Sequence, residues 1–541
     1  MKKICIVGVG YYWATTLVKE LFYEFSGEPL EIRYMDINEE TARDCAGWGE
    51  AASLAYGREE DAHLYYTDRR KALEGVDAVL IAILVGGMKA SYLDIAIPEK
   101  YGIFATGADT AGPAGWIRSI RNIPAFVDIA KDVSELCPDA IVVNYTNPMS
   151  TTTAVLSRLC RNPVVGFCSA FYEIQRMLAR LFDLEDFSKI SYDIAGMNHF
   201  LWVLDFKIDG KSGYPLLRER LGSGSLLDLL KKENDSAFDR EVNFISAYSI
   251  MAELYDAYGY LPYPNGFHIC EFLPYVMSNY PALEPYIDIH GDATEWMPEY
   301  GLPRQPKENR KNRSAIFKKS FWEELESFKV KKGTYTPRPS REHSANIISA
   351  YLYNKPTVLN AVNLMNNGQV QGLPADICVE TMGIADGYGV RAVCANSVPD
   401  YLLELMRPQA LCTKWIVDGM LNGDPKLLMQ ALYHDPQCKA MRPQTIREMA
   451  EELRCCLLYT SQAMRHNPMY MADYVEHLDN VLKTTGEKVL QGAGTINHAQ
   501  AIEKATEEYR KYQERNLSPV EEEYLESIKN IHSTIKKKGK N

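Results

Sequence analysis

Two glycines near the N-terminus separate an apolar run from a helix-prone stretch. In ICIVGVGYYW, Gly8 permits a tight turn and Gly10 lets the backbone approach a pyrophosphate at the start of a helix. Trp13 stands where the third glycine of a GxGxxG pattern would be. Asp36 follows 26 residues after Gly10, where a carboxylate can accept a hydrogen bond from a ribose 2′-OH and repel the phosphate of NADP. The spacing predicts an NAD site, and the alternative is a strand–turn–helix without a ligand.

Strands and helices alternate over the first 165 residues. Apolar runs at 4–10, 31–38, 78–87 and 140–148 predict strands, and amphipathic stretches lie between them. The runs are continuously apolar, which is typical of strands that are buried on both faces. This pattern predicts an N-terminal Rossmann-type α/β domain with a parallel sheet.

Helical periodicity dominates after residue 165, as in FYEIQRMLARLF, and strand-like segments such as FLWVLDFKI interrupt it. The second part is therefore predicted to be α+β. The last residues are charged and helix-prone, ending in IKKKGKN. The predicted organisation is an NAD-binding domain at 1–165, a second domain at 166–465 and a helical C-terminal extension at 466–541.

Charge and cysteine content restrict the class of protein. The 541 residues include 59 Lys+Arg and 71 Asp+Glu, a net charge of −12, which argues against a nucleic-acid partner or docking on an anionic membrane. No apolar run is long enough to span a bilayer, and the N-terminal run is too short for a signal peptide. Twelve scattered cysteines without a CxxC motif indicate reduced thiols. We expect a cytoplasmic protein.

Several separated motifs resemble glycoside hydrolase family 4, the NAD- and divalent-metal-dependent glycosidases. The resemblance extends over about residues 1–460. Its segments are YGIFATGADTAGPAGWIRSIRNIP (101–124), VVNYTNPMS (142–150), VVGFC (164–168), GMNHF (196–200) and VLNAVNLMNNGQVQGLPADICVE (358–380). The resemblance implies that the second domain is catalytic.

Cys168 and His199 match the pair with which this family binds Mn²⁺. One thiolate and one imidazole leave coordination positions open for water and for hydroxyls of the sugar. The alternatives are a buried core thiol and a structural histidine. The resemblance therefore implies Mn²⁺ or another divalent metal at Cys168 and His199.

Further polar residues acquire roles from the resemblance. Asn147 precedes a proline that keeps it out of the helical region, and it would contact the sugar hydroxyls. Asn198 and Arg121 are also expected to bind substrate, and Asn144 is expected to face the cofactor. Asp109 matches the acidic residue that supports the catalytic base. Asp109 and Arg121 could pair with each other, and a simple ion pair at a helix start is the alternative.

The sequence departs from the family at the proton donor and acceptor. Ser169 follows the metal cysteine, where the family carries His or Asp as a general acid, and a hydroxyl is a poor acid near neutral pH. The expected base position falls on Asn265 or Gly266, and neither can take a proton. Nearby side chains that can accept one are Tyr263, His268 and Glu271. We predict Tyr263 as the replacement base and include His268 as a catalytic candidate.

The resemblance implies cleavage of O-glycosides through NAD-dependent oxidation at C3, deprotonation at C2 and elimination. We expect an unphosphorylated hexoside or uronide as substrate and a homo-oligomer, a dimer or tetramer. An NAD-dependent sugar or hydroxy-acid dehydrogenase is the alternative, and it would accumulate NADH. A sugar- or NAD-binding protein without catalysis is a further alternative.

Overall fold

The computed structural model describes most of the first 464 residues. The chain forms two compact units, Met1–Pro468 and Met469–Asn541, and the second lies outside the described residues. The described residues are 1–104, 110–169, 171–232, 244–263, 266–275, 313–330, 333, 335–338 and 342–464.

The N-terminal half is built on six parallel strands. They are β1 (Lys2–Val7), β2 (Leu30–Met35), β3 (Ala62–Tyr66), β4 (Ala78–Ile81), β5 (Ile141–Asn144) and β6 (Val164–Gly166). Their spatial order is β3-β2-β1-β4-β5-β6, the order of a dinucleotide-binding sheet. The predicted Rossmann-type parallel sheet is confirmed. β3 was not anticipated, because this edge strand leaves Leu64 and Tyr65 exposed and lacks a continuous apolar run.

Helices cover both faces of these strands. They are α1 (Tyr11–Glu24), α2 (Glu39–Ala55), α3 (Arg69–Leu73), α4 (Gly87–Lys100), α5 (Gly112–Leu136) and α6 (Met149–Leu159). Because side chains alternate along a strand, Ile4 and Ile6 pack with α1 and α2, whereas Cys5 and Val7 pack with α4, α5 and α6. This two-sided burial explains the continuously apolar strands.

The C-terminal half continues the same sheet with antiparallel strands. They are β7 (Ile190–Met197), β8 (Phe200–Ile208), β9 (Lys211–Ser212), β10 (Leu261–Pro262), β11 (Thr357–Met365), β12 (Cys378–Asp386) and β13 (Gly389–Ala392). β11 joins the two halves by pairing with β6 at Asn363 and Gly166. Antiparallel strands with helices confirm the predicted α+β architecture.

The helices of the C-terminal half pack against this extension and against the helices of the N-terminal half. They are α7 (Phe171–Leu181), α8 (Gly213–Leu221), α9 (Leu226–Lys232), α10 (Phe244–Tyr258), α11 (Gly266–Ile269), α12 (Arg313–Val330), α13 (Ser344–Tyr353), α14 (Asp400–Asn422), α15 (Pro425–His434) and α16 (Pro443–Met464). None of the helices within the described ranges is long and apolar enough to cross a membrane.

The predicted division at residue 165 falls inside β6. This strand pairs with β5 on one side and with β11 on the other, so both predicted domains lie in the unit Met1–Pro468. The division into an NAD-binding and a catalytic domain stays a sequence-based prediction.

Candidate active site

The turn after β1 has the geometry of an anion-binding loop. Gly8 has φ +80°, and a Cβ there would collide with Ile83 and with the carbonyl oxygen of Ala82. Gly10 has φ +42° with open space around it, and α1 begins at the next residue without a side-chain cap or an acidic residue in its first turn. The first amides of α1 are therefore available to a phosphate group.

Asp36 lies at the same edge of the sheet, directly after β2. Its Oδ1 accepts a hydrogen bond from the backbone amide of Asn38 (2.9 Å), which fixes the carboxylate beside the start of α2. Burial raises the pKa of Asp36, and the Asn38 amide opposes that shift. Since β1 and β2 are parallel, the carboxylate and the Gly8–Gly10 turn follow neighbouring strand ends.

Arg121 forms a buried ion pair with Asp94 of α4. Its Nη1 donates to Asp94 Oδ2 (2.8 Å) and its Nη2 to Asp94 Oδ1, and the two side chains are only 6% and 1% exposed. Gly86, the residue before α4, packs directly on the Arg121 side chain, where a Cβ would collide. Asp109, the predicted partner of Arg121, lies outside the described residues.

Asn144 and Asn147 follow β5 but have different surroundings. The Asn144 amide is fully buried, donates to the hydroxyls of Thr152 and Thr153 (2.9 Å each) and accepts from the Thr146 amide (3.0 Å). Asn147 precedes a cis proline, and its Oδ1 has no partner among the described residues. Asn147 therefore has a free acceptor at the strand end among the described residues, whereas the hydrogen bonds of Asn144 go to Thr146 of the same loop and to α6.

Three predicted side chains from distant parts of the chain meet beyond β6. Cys168 Sγ lies 3.7 Å from His199 Nε2 and 3.8 Å from Tyr263 Oη. β6 leads into Cys168, the two-residue turn between β7 and β8 carries His199, and Tyr263 follows β10. The structure thus brings a thiol, an imidazole and a phenol within contact distance.

His199 is held on several sides. It adopts φ +66° in the hairpin turn and is 1% exposed. Its Nδ1 lies 2.8 Å from Thr110 Oγ1, and the His268 ring stacks on it with centroids 3.8 Å apart. Burial lowers the pKa of His199 well below its usual value, and the neighbouring His268 and Arg118 shift it in the same direction. The imidazole is therefore neutral, as a metal ligand must be.

Tyr263 is fully buried at the same point. Burial, followed by the neighbouring Cys168, raises the pKa of Tyr263 well above its usual value. Its backbone amide donates to the Leu201 carbonyl (2.9 Å), which fixes it against β8. The phenol therefore holds its proton in the protein without ligands.

Glu380, which was not predicted as a site residue, lies beside this cluster. It is 1% exposed, and Asn198 Nδ2 donates to its Oε2 (3.5 Å). Burial raises its pKa to about 8, against hydrogen bonds from Asn363 and Asn198. Asn198 Oδ1 is buried without a partner within the described part of the chain. Glu380 is the last residue of the 358–380 segment quoted above. A carboxylate among the mostly apolar residues of β12 could have indicated a buried functional group.

The other candidate bases have different positions. His268 stacks on His199, as described, and Gly266 begins α11. The Glu271 carboxylate accepts hydrogen bonds from the backbone amides of Thr110 (3.1 Å) and Ala111 (3.3 Å). Asn265 lies outside the described residues. Among the three proton acceptors, Tyr263 has its functional atom next to Cys168.

Cys168 and His199 have a spacing that fits a metal ion. In a tetrahedral zinc site, bonds of about 2.3 Å to sulfur and about 2.1 Å to nitrogen separate two ligand atoms by about 3.6 Å, so the observed 3.7 Å is within the range of two ligands of one ion. Within the described ranges no group of three or more His, Cys, Asp and Glu side chains could hold a metal. A metal at this pair would therefore keep positions for oxygen ligands of a substrate.

A cavity of about 120 Å³ opens beside this cluster. Its lining includes Cys168, Ser169 and His343 together with apolar side chains such as Phe171 and Leu359. The thiol of Cys168 therefore lies at a partly open cavity with both polar and apolar walls.

Known families match most of the chain. The model described as family 4 glycosyl hydrolase matches residues 3–184, and that of the family 4 glycosyl hydrolase C-terminal domain matches 194–438. A third model, described as the virulence protein RhuM family, matches residues 444–519.

Relatives and solved structures agree with the family matches. An alpha-galactosidase of Bacillus subtilis is 32% identical over 69% of this chain and 79% of its own length. An alpha-galacturonidase of Thermoanaerobacterium saccharolyticum is 29% identical over 78% of this chain and 89% of its own. The fold is similar to that of a 6-phospho-alpha-glucosidase from gut microorganisms in complex with NAD and Mn²⁺ (TM-score 0.65, 18% identity, 84% of this chain and 97% of that chain).

Both matched family 4 segments contribute residues to the cluster described above: Cys168 lies in the first segment, and His199 and Tyr263 lie in the second. Together with the 32% identity over most of the Bacillus subtilis enzyme, these matches show that the chain belongs to family 4 of the glycosyl hydrolases and is a glycosidase.

Proposed function

We propose that this glycosidase uses NAD and a divalent metal, Mn²⁺ or a related ion, to cleave O-glycosides by oxidation, deprotonation and elimination. The observation that carries the proposal is the contact of Cys168, His199 and Tyr263 at the sheet edge that also carries the Gly8–Gly10 turn. When bound, NAD would accept and return a hydride at sugar C3, and the metal would stabilise negative charge on the sugar oxygens.

The N-terminal turn would hold the NAD. The open first turn of α1, after Gly10, would bind the pyrophosphate through backbone amides. Asp36 would accept a hydrogen bond from the ribose 2′-OH. Gly8 allows the close contact with Ala82 and Ile83, directly after β4, on which this turn depends.

Cys168 and His199 would hold the metal. His199 offers a neutral imidazole because burial lowers its pKa. Hydroxyls of the sugar and water would complete the coordination, since no third His, Cys, Asp or Glu side chain among the described residues joins this candidate pair. Asn147 and Asn198 each have a side-chain oxygen without a partner among the described residues, and they would accept hydrogen bonds from sugar hydroxyls.

Tyr263 is the proposed base for the proton at C2. Its Oη lies 3.8 Å from Cys168 Sγ, so a sugar bound at the Cys168–His199 pair would lie within its reach. Burial keeps the phenol protonated in the protein without ligands, and a nearby positive charge would lower its pKa toward working range. Tyr263 therefore becomes a base only once the site is loaded.

We propose alpha-galactosides or alpha-galacturonides as substrates, without a phosphate on the sugar. The support comes from the names of the two relatives described above, an alpha-galactosidase and an alpha-galacturonidase. p-Nitrophenyl derivatives of both sugars, of alpha-glucose and of a 6-phosphoglucose would separate the classes. Release of p-nitrophenol from the phosphorylated substrate alone would contradict this choice.

Solvent exchange tests the mechanism. Because the C2–H bond breaks during elimination, product formed in D₂O should carry deuterium at C2. Tyr263→Phe should lose both exchange and cleavage, whereas Tyr260→Phe, a change at a half-buried tyrosine of the same segment, should lose neither. Product without deuterium from an active enzyme would refute elimination, and accumulation of NADH without cleavage would indicate a dehydrogenase.

A further inference from the structure

The start of α5 is held by side chains from distant parts of the chain. Its N-cap residue, Ala111, has no side chain that can bond to the first amides. The Glu271 carboxylate accepts from the amides of Thr110 (3.1 Å) and Ala111 (3.3 Å), and the Asp435 carboxylate accepts from the amide of Gly112. Two buried carboxylates therefore hold the backbone amides of residues 110–112, and Asp435 satisfies the first amide of α5.

Gln437 connects the turn that carries Asp435 to the backbone of Glu271. Its side-chain amide donates to the Glu271 carbonyl oxygen. Gly112 has φ +68°, and a Cβ there would collide with the Gln437 side chain. The backbone of residues 110–112 is thus fixed from two sides, by residue 271 and by the turn at 435–437.

This fixed backbone presents one side chain to the candidate metal ligand. Thr110 Oγ1 lies 2.8 Å from His199 Nδ1, and both residues are at most 9% exposed. We propose that Thr110 is a positioning residue for His199: its hydroxyl oxygen accepts the Nδ1–H bond, so that the lone pair of Nε2 faces Cys168.

The reason lies in the two forms of a neutral imidazole. One ring nitrogen carries the hydrogen and the other carries the lone pair, and the partner of the first decides which form is present. The hairpin turn and the stacked His268 ring fix the plane of the His199 ring, but neither selects the nitrogen that carries the hydrogen. Hydrogen on Nε2 would point toward Cys168 and block a metal there.

Thr110→Val and Thr110→Ser form a matched pair. Val keeps the shape of the threonine but accepts no hydrogen bond, whereas Ser keeps the hydroxyl. Mn²⁺ would be titrated into each metal-free protein, with NAD present, by calorimetry. Thr110→Val should bind Mn²⁺ about 10–100-fold more weakly, the usual effect of losing such a partner, and Thr110→Ser should keep the wild-type affinity. NAD affinity should be unchanged in both, and both variants should stay folded at the temperature of the titration, although the buried imidazole without a partner should lower the melting temperature of Thr110→Val somewhat.

Equal Mn²⁺ affinity of wild type and Thr110→Val would overturn the inference, and so would a loss of metal affinity in Thr110→Val that is matched by lost NAD binding or lost folding. The inference rests on the proposed metal site, so a wild type that binds no Mn²⁺ would refute that site. ¹⁵N NMR of histidine-labelled, metal-free protein then tests Thr110 separately. Wild type should show hydrogen on Nδ1 of His199, and hydrogen on Nε2 would refute the positioning role.

Discussion

Removing Arg121 should destabilise the protein because the carboxylate of Asp94 would stay buried without its positive partner. Asp94 is 1% exposed, and Arg121 supplies its bidentate partner on the neighbouring helix. Loss of one member of a buried ion pair costs about 3–5 kcal/mol because the other charge stays in a poorly solvated place. We expect Arg121→Met to lose about this much of the free energy of unfolding at pH 8.

The loss should depend on pH in a defined direction. Burial already raises the pKa of Asp94 even though Arg121 opposes the shift, so without Arg121 the folded-state pKa should rise further. A carboxyl group whose folded pKa exceeds its unfolded pKa destabilises the fold increasingly as pH rises between the two values. The deficit of Arg121→Met should therefore be smaller at pH 5 than at pH 8.

The double variant Asp94→Leu/Arg121→Met is the control. It removes both charges, and we expect it to recover most of the stability lost in Arg121→Met. Urea unfolding followed by tryptophan fluorescence would measure all three proteins at both pH values. A stable Arg121→Met protein, a deficit that does not change with pH, or a double variant as unstable as the single one would refute the argument. Glycoside cleavage by the stable double variant then tests substrate binding separately, since a raised KM would indicate that Arg121 also contacts the sugar.

Three other changes test the cofactor, the metal and a buried carboxyl group. Asp36→Ala should weaken NAD binding by about 10–100-fold, the loss expected for a hydrogen bond to a charged group, and reduce discrimination against NADP; an unchanged NAD titration would contradict this role. Cys168→Ser and His199→Ala should each lose Mn²⁺ binding and cleavage yet keep NAD affinity, and near-normal turnover in either would refute the metal site. Glu380 has a pKa raised by burial from 4.5 to about 8, so stability should fall as pH rises between these values. Glu380→Gln should flatten that dependence, and an unchanged profile of unfolding free energy against pH would be the contrary result.

The fold of the N-terminal half could be predicted because its signals are local. A glycine at φ +80° next to β4 and a carboxylate at the end of β2 follow from turn geometry and from the apolar runs around them. The fold class is confirmed for the same reason, since strand and helix periodicity reports burial on one or two faces. β3 was not predicted because it lies at the edge of the sheet, where few of its side chains are buried and its sequence has no continuous apolar run.

The metal pair is a different case. From composition and spacing alone, Cys168 could be a buried core thiol and His199 a structural histidine. The resemblance to the family motifs is what predicts both residues as metal ligands. Their assignment stays a proposal, although the fold places Sγ and Nε2 3.7 Å apart. Tyr263, whose phenol contacts Cys168, is predicted as a replacement base because the family's base position falls on Asn265 or Gly266.

The hydrogen-bond partners of the site could not be read from the amino-acid order. Thr110 and His199 are 89 residues apart, and Glu271 reaches Thr110 across 161 residues. Arg121 could have paired with Asp109 in its own motif, but its bidentate partner in the fold is Asp94. Side-chain pairing of this kind depends on which helices and strands pack together in space, whereas turns and periodicity depend on neighbours along the chain, and so the sequence carries a direct signal only for the latter.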